Sequence, residues 1–227
     1  MRILSQGKTK FNFKKEGKKS HQFFAHVRFG MKHQVYNLFP SSVHSINLEN
    51  FPLVKKRVIS YIYKEKEKFP KSVFKSNRGG WQSKDNYYEH DNILSQIISG
   101  GLSYLGSYYR YPNLIIKSIW ININKKNNFN YLHNHPECDL SGVLWINIPK
   151  GSGNLEFASP HNFTAASLIS SYDEKFKSDT YNYPAYTVYP KEGLMLVFPS
   201  YLHHMVEPNE SDEDRISISF NLDIIKR

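Results

Sequence analysis

Residues 114–123 read LIIKSIWINI, and their alternation of apolar with polar or small side chains marks an extended strand with one buried face. Upstream of Pro112 the periodicity is that of helices, and downstream of it the period is two. Residues 140–148 (LSGVLWINI), 153–158 (GNLEFA), 185–189 (AYTVY), 194–198 (LMLVF) and 215–223 (RISISFNLD) repeat the strand pattern, separated by Gly, Pro and Asn. Before them, Val54, Val58, Ile62 and Tyr63 recur at helical spacing between Pro52 and about Lys68. A second helical pattern covers about residues 91–110 through Leu94, Ile97, Ile98, Leu102 and Leu105. Gly100 and Gly101 are expected to break that second helix in two. Two amphipathic helices followed by six to eight strands predict a mainly β fold, an antiparallel double-stranded β-helix (jelly roll) with flanking helices.

Composition sets the outer limits. At 227 residues, with 40% hydrophobic and 22% charged side chains, the chain suits one folded domain. Residues 31–227 are read as that domain, with a helical lead-in over about 52–110. No run approaches eighteen apolar residues, and the first thirty lack the apolar core of a secretory signal, so no membrane role is expected. The single cysteine, Cys138, excludes an internal disulfide framework and fits a reducing, cytoplasmic setting. Of the net charge of +10, residues 1–30 carry +7. They are read as a basic, disordered extension, the one part of the chain suited to nucleic acid. The polar stretch 161–183 is too long for a hairpin and reads as a loop over one mouth of the barrel, with room for a short helix.

Three segments carry chemistry. In Tyr131-Leu132-His133-Asn134-His135-Pro136-Glu137, residues two apart share a side of an extended chain. Either His133 with His135, or His135 with Glu137, can then address one metal ion. After the apolar strand 194–198, Pro199 and a short turn lead to His203 and His204, either of which can supply a distant third ligand. In Arg215–Asn221, the side chains of Arg215, Ser217, Ser219 and Asn221 share one face. Arg offers a planar fork suited to a carboxylate, and Ser adds a hydroxyl donor. Asn130 and Trp120 are candidates to flank a bound co-substrate, and Trp81 and Gln82 to reach the site mouth. Cys138 and Asp139 are read as incidental.

Paired ligands, a distant His and an Arg eleven residues later resemble the 2-oxoglutarate/iron(II) oxygenase superfamily, whose site is marked by H-x-D/E, a distant His and R-x-S. More narrowly, the chain looks like an oxygenase family common in marine bacteria and their phages. The resemblance rests on SNRGGWQS (Ser76–Ser83), NYLHNHP (Asn130–Pro136), LSGV (Leu140–Val143), Gly153–Pro160, FPSYLHH (Phe198–His204) and RISISFN (Arg215–Asn221), and covers about residues 35–223. It implies iron(II) held by His133, His135 and His204, and 2-oxoglutarate bound through Arg215 and Ser217, with Asn130 beside it. It also implies consumption of O2, with release of succinate and CO2. His135 stands where the superfamily has a carboxylate, so a His135/Glu137/His204 set is the competing register. A cupin-type metalloenzyme that does not use 2-oxoglutarate, and a non-catalytic jelly-roll binding module, are the rival functions. The motifs name neither the substrate, small molecule or peptide, nor the oligomeric state. A chain starting at Met31 is expected to retain the activity of the full chain. Loss of activity in that comparison would make the basic segment functional.

Overall fold

The computed structural model describes residues 34, 36, 40–87, 92–109, 113–161 and 171–225. The basic segment 1–30 and Met31 lie outside them. The chain opens with β1 (His44–Asn47) and then α1 (Phe51–Lys68). Pro52 sits in the first turn of α1, where its missing N–H costs nothing. The helix ends at Lys68, because Pro70 pushes Phe69 out of the helical region, to φ −128° and ψ 73°. Two-residue strands β2 (Asn77–Arg78) and β3 (Trp81–Gln82) follow, and then α2 (Ile93–Tyr109).

Helix α2 is continuous, which corrects the expected break at Gly100 and Gly101. Asn92 starts it firmly, its Oδ1 accepting from the N–H groups of Leu94 and Ser95 at 2.9 and 3.1 Å. Leu94, Ile98, Leu102 and Leu105 then bury one stripe in the core. Gly101 faces Met195 so closely that an added Cβ would stand 2.7 Å from its sulfur. Close approach, rather than helix breaking, explains that glycine: packing of the stripe outweighs a propensity cost of about 1 kcal/mol per glycine.

The remaining strands are β4 (Leu114–Asn124), β5 (Phe129–His133), β6 (Leu140–Asn147) and β7 (Leu155–Ala158). After them come helix α3 (Glu174–Thr180), then β8 (Ala185–Val188), β9 (Leu194–Pro199), β10 (His204–Val206) and β11 (Arg215–Ile224). Helix α3 lies in the stretch 161–183, of which residues 162–170 fall outside the described ones. Two antiparallel sheets result, one in the order β1-β9-β6-β11-β4-β3 and the other β2-β5-β10-β7-β8. Mainly β, with helices flanking the larger sheet, this is the double-stranded β-helix the alternation predicts.

The larger sheet has two unlike faces. Ile119, Ile121, Ile123, Ile216, Ile218 and Phe220 are fully buried in one cluster with Val58 and Ile62 of α1 and the stripe of α2. Each such side chain contributes roughly 1.5–3 kcal/mol by leaving water. The opposite face carries Trp120, Asn122, Arg215, Ser217 and Ser219 toward the second sheet. Trp145, Leu196, Phe198, Phe157 and Leu155 form a smaller apolar cluster there.

The two sheets are tied at one edge by the turn Gly79-Gly80, which passes the chain from β2 in the smaller sheet to β3 in the larger. Both glycines are left-handed, with φ +68° and +73°, and a Cβ on Gly80 would lie 2.9 Å from the Ile123 carbonyl oxygen. Gly80→Ala is expected to lower stability by about 1–3 kcal/mol, measured as a reduced midpoint in urea denaturation.

Candidate metal centre

His133 ends β5 and His204 begins β10, and the two stand directly opposite each other in the antiparallel pair. The register between these strands slips once. His204 faces His133, but Val206 faces Asn130, so β5 carries one extra residue at Tyr131–Leu132. That bulge turns Asn130 and His133, three residues apart, to the same side. His135 follows in the loop to β6, its N–H donating to the Ser200 carbonyl at 3.0 Å. The β9–β10 turn therefore holds the residue that completes the group.

One ring nitrogen from each of His133, His135 and His204 lies within 4.8 Å of the other two. No other group of three metal-ligating side chains occurs among the described residues. Glu137 is exposed in the turn before β6, at φ +71°, and lies outside this group. His203 is exposed while His204 is buried, as strand alternation requires.

Hydrogen bonds fix the tautomers of two of the rings. Nδ1 of His133 is 2.6 Å from the Tyr131 carbonyl oxygen, and Nδ1 of His204 is 2.9 Å from that of Leu202. A carbonyl only accepts, so in both rings Nδ1 bears the proton and Nε2 presents its lone pair. This is the orientation that metal-binding histidines receive from neighbouring carbonyls. The Nε2 lone pair of His133 is met by the Ser76 hydroxyl at 3.2 Å, and Ser76 in turn accepts from Asn130 Nδ2 at 3.0 Å. Asn124 Nδ2 reaches Asn130 Oδ1 at 3.5 Å.

The walls are aromatic. Phe198 and Phe157 stand 5.0 and 5.9 Å from the His204 ring, and Trp120 stands 5.6 Å from His135. Trp120 thus borders the centre, whereas Trp81 is core, its indole N–H donating to the Phe69 carbonyl at 3.0 Å. Burial disfavours charge on the rings. His204 is pushed down to about 3 by burial and by His133, and His135 to about 4 by burial, His133 and Lys75. His133 is lowered as well, burial leading. All three imidazoles are neutral at neutral pH, the form that binds a metal.

Arg215 lies at the start of β11, 3% exposed. Its Nη1 donates to the carbonyls of Ser152 and Glu207, and its Nη2 to that of Asn128 at 3.4 Å. Among the described residues no carboxylate pairs with it. Glu207 attracts it, but Glu207 Oε2 already accepts from Asn154 N and Nδ2, both at 2.9 Å. Of the five guanidinium N–H groups, Nε and one on Nη2 remain for a ligand. Burial lowers the group to about 10, so it stays charged at neutral pH. Ser217 shares its face, and its hydroxyl makes no hydrogen bond to a described residue. Cys138 is free, its Sγ 3.4 Å from the His135 carbonyl oxygen.

Residues 118–221, which run from within β4 to within β11, match the family model described as "Putative 2OG-Fe(II) oxygenase". That match supports a likeness to the 2-oxoglutarate/iron(II) oxygenases. No curated protein matches this chain in sequence. Among solved structures it is similar to the α-ketoglutarate-dependent carbocyclase SnoK of nogalamycin biosynthesis, at 13% identity and TM-score 0.59, over 80% of this chain and 79% of that one. It is also similar to a Pseudomonas putida prolyl-4-hydroxylase, at 14% identity and TM-score 0.55, over 84% and 96%. HygX from Streptomyces hygroscopicus, solved with nickel and 2-oxoglutarate bound, aligns at 10% identity and TM-score 0.53, over 81% and 82%. At these identities the likeness is one of fold. The donor set of this chain suits iron(II), since three neutral imidazoles meet at one point. The buried guanidinium, without a carboxylate partner among the described residues, suits an organic acid.

Ser76 and the β5 bulge are what sequence reading missed. The bulge leaves no periodic trace, while the motif Ser76–Ser83 was visible without a role. No described helix is long and apolar enough to cross a membrane.

The depressed histidines make a pH prediction. An unfolded histidine titrates near 6.5, and His135 and His204 titrate near 4 and 3 in the fold. Between those values the unfolded chain binds more protons, so stability falls as pH drops through that window. Urea midpoints of the metal-free protein are expected to decline from pH 6.5 toward 4. Ring-proton NMR should find His204 uncharged at pH 5, below the ordinary histidine value of about 6.5.

Proposed function

We propose that this protein is an oxygenase that hydroxylates an organic substrate with 2-oxoglutarate and O2 as co-substrates, releasing succinate and CO2. The observation that carries the reading is the juxtaposition of three neutral imidazoles, His204 buried and His133 and His135 half-buried, with a buried guanidinium that lacks a carboxylate partner among the described residues. In this reading His133, His135 and His204 hold iron(II), with Nε2 as the ligand atom of His133 and His204. The His133 lone pair that the Ser76 hydroxyl now meets would hold the metal, and Ser76 would keep its bond to Asn130. Three imidazoles replace the commoner two-histidine, one-carboxylate set. Glu137, exposed in its turn, supports this choice over the His135/Glu137/His204 register.

Arg215 receives the distal carboxylate of 2-oxoglutarate through its remaining Nε and Nη2 donors, and Ser217 adds its hydroxyl. The charge of the diacid offsets the cost of burying the guanidinium. Two residues along a strand advance about 7 Å, and Asn130 links the level of His133 to that of Asn124 and Arg215. A five-carbon diacid therefore bridges the centre and Arg215, with Asn130 beside it. When bound, iron(II) with 2-oxoglutarate supplies the oxidising power for C–H hydroxylation. The chain contributes orientation and dryness: Phe157, Phe198 and Trp120 wall the rings off from water. A cupin-type enzyme leaves Arg215 without a role, and its lack of a counter-ion favours the diacid. Residues 31–227 act as one domain in this reading, with 1–30 an accessory segment. The free thiol of Cys138 supports a cytoplasmic setting.

Anaerobic loading with iron(II), then measurement of succinate formed from 2-oxoglutarate on admitting air, tests the proposal. His204→Ala is expected to weaken metal binding by more than about 100-fold. Arg215→Ala should keep the metal and lose about 100-fold in 2-oxoglutarate affinity. Wild-type protein that binds iron but not 2-oxoglutarate would point to the cupin, and protein that binds no metal to a binding module.

A further inference from the structure

The motif Ser76–Ser83 is only partly used by the metal centre. Ser76 touches His133 and Asn130, Trp81 fills the core, and Ser83 Oγ accepts from the Ile121 N–H at 2.9 Å. Gln82 remains unexplained. Directly opposed residues on antiparallel neighbours point to the same face of a sheet. Gln82 stands opposite Asn122, Asn122 opposite Ser217, and Ser217 opposite Trp145. Asn122 Nδ2 donates to Ser219 Oγ at 3.0 Å, which places the row on the Arg215 face, away from the helices.

This row lies between two levels already described. On β4, Trp120 lies on the side of the metal centre and Asn124 lies opposite Arg215, with Asn122 midway. A diacid reaching from the histidines to Arg215 crosses the level of this row, with Gln82 at one end of it and Trp145 at the other. Gln82 is 6% exposed and Trp145 3%. The backbone N–H of Gln82 donates to Ser72 Oγ, but its side-chain amide, the Ser217 hydroxyl and the Trp145 indole N–H make no hydrogen bond to any described residue. No enclosed side-chain nitrogen or oxygen among the described residues is left unpartnered, so these groups face space that water or a ligand fills. Donors on one face of the sheet that no protein group engages are free to meet an acceptor-rich ligand.

We propose that Gln82 is a co-substrate-positioning residue whose amide Nε2 donates to bound 2-oxoglutarate from the edge of the slot, with the Trp145 N–H facing it across the row. This inference rests on the oxygenase reading above. It gives the turn Gly79-Gly80 a purpose, because that turn delivers Ser76 to one sheet and Gln82 to the other.

Calorimetric titration of 2-oxoglutarate into the manganese(II)-loaded full chain tests it. Gln82→Met keeps the volume and removes the donor, and should raise Kd about tenfold, as expected for a hydrogen bond to a charged group. Gln82→Glu places a like charge in the slot and should raise it further. Manganese affinity and melting temperature should match wild type in both, a separation that a merely structural role would not produce. Wild-type Kd in Gln82→Met overturns the proposal. Should that variant fail to fold, unchanged or tighter binding by Gln82→Glu overturns it. If the wild-type protein binds manganese but not 2-oxoglutarate, the oxygenase reading falls and this inference with it. If wild type binds 2-oxoglutarate and the variants bind it equally well, this inference alone falls.

Discussion

Everything at the centre depends on one cross-strand pair. His133 and His204 lie about seventy residues apart in the chain but face each other across antiparallel β5 and β10, with ring centroids 4.4 Å apart. Backbone ladders hold that distance, so two imidazoles approach without any charge to draw them together. Each is aimed by a carbonyl two residues before it, of Tyr131 and of Leu202. His135 comes from a loop, and it is steadied by the backbone of the β9–β10 turn and by its near-parallel stacking on His204, at 14°.

Burial acts in opposite directions at the two ends of the slot. Around the histidines it removes protons, leaving lone pairs ready for a cation. Around Arg215 it leaves a cation that no described carboxylate neutralises, although three backbone carbonyls fix its direction. Imidazole lone pairs at one end and, among the described residues, an unpaired positive charge at the other are matched to a ligand that chelates through one end and is anionic at the other. The family match over residues 118–221 agrees with that complementarity.

Much of this was legible in the sequence. Two-residue alternation located the long strands within a residue or two, and the polar face of Arg215, Ser217 and Ser219 followed from it directly. Short elements were not legible. Strands β2 and β3 have two residues each, too few to show a period, and they exist because Gly79 and Gly80 let the chain cross between sheets. The bulge in β5 is set by pairing with β10, which local sequence does not encode. Gly100 and Gly101 misled for a related reason: helix propensity is local, while the contact of Gly101 with Met195 is not. Likewise, spacing alone left Glu137 as good a candidate as His133, and only the turn geometry separates them.

X-ray absorption at the iron edge of anaerobically loaded protein tests the three-histidine claim most directly. The account predicts an iron(II) shell with the multiple-scattering pattern of three imidazoles and no protein carboxylate. A shell containing only two imidazoles and a carboxylate ligand from the chain, with 2-oxoglutarate absent, would contradict it.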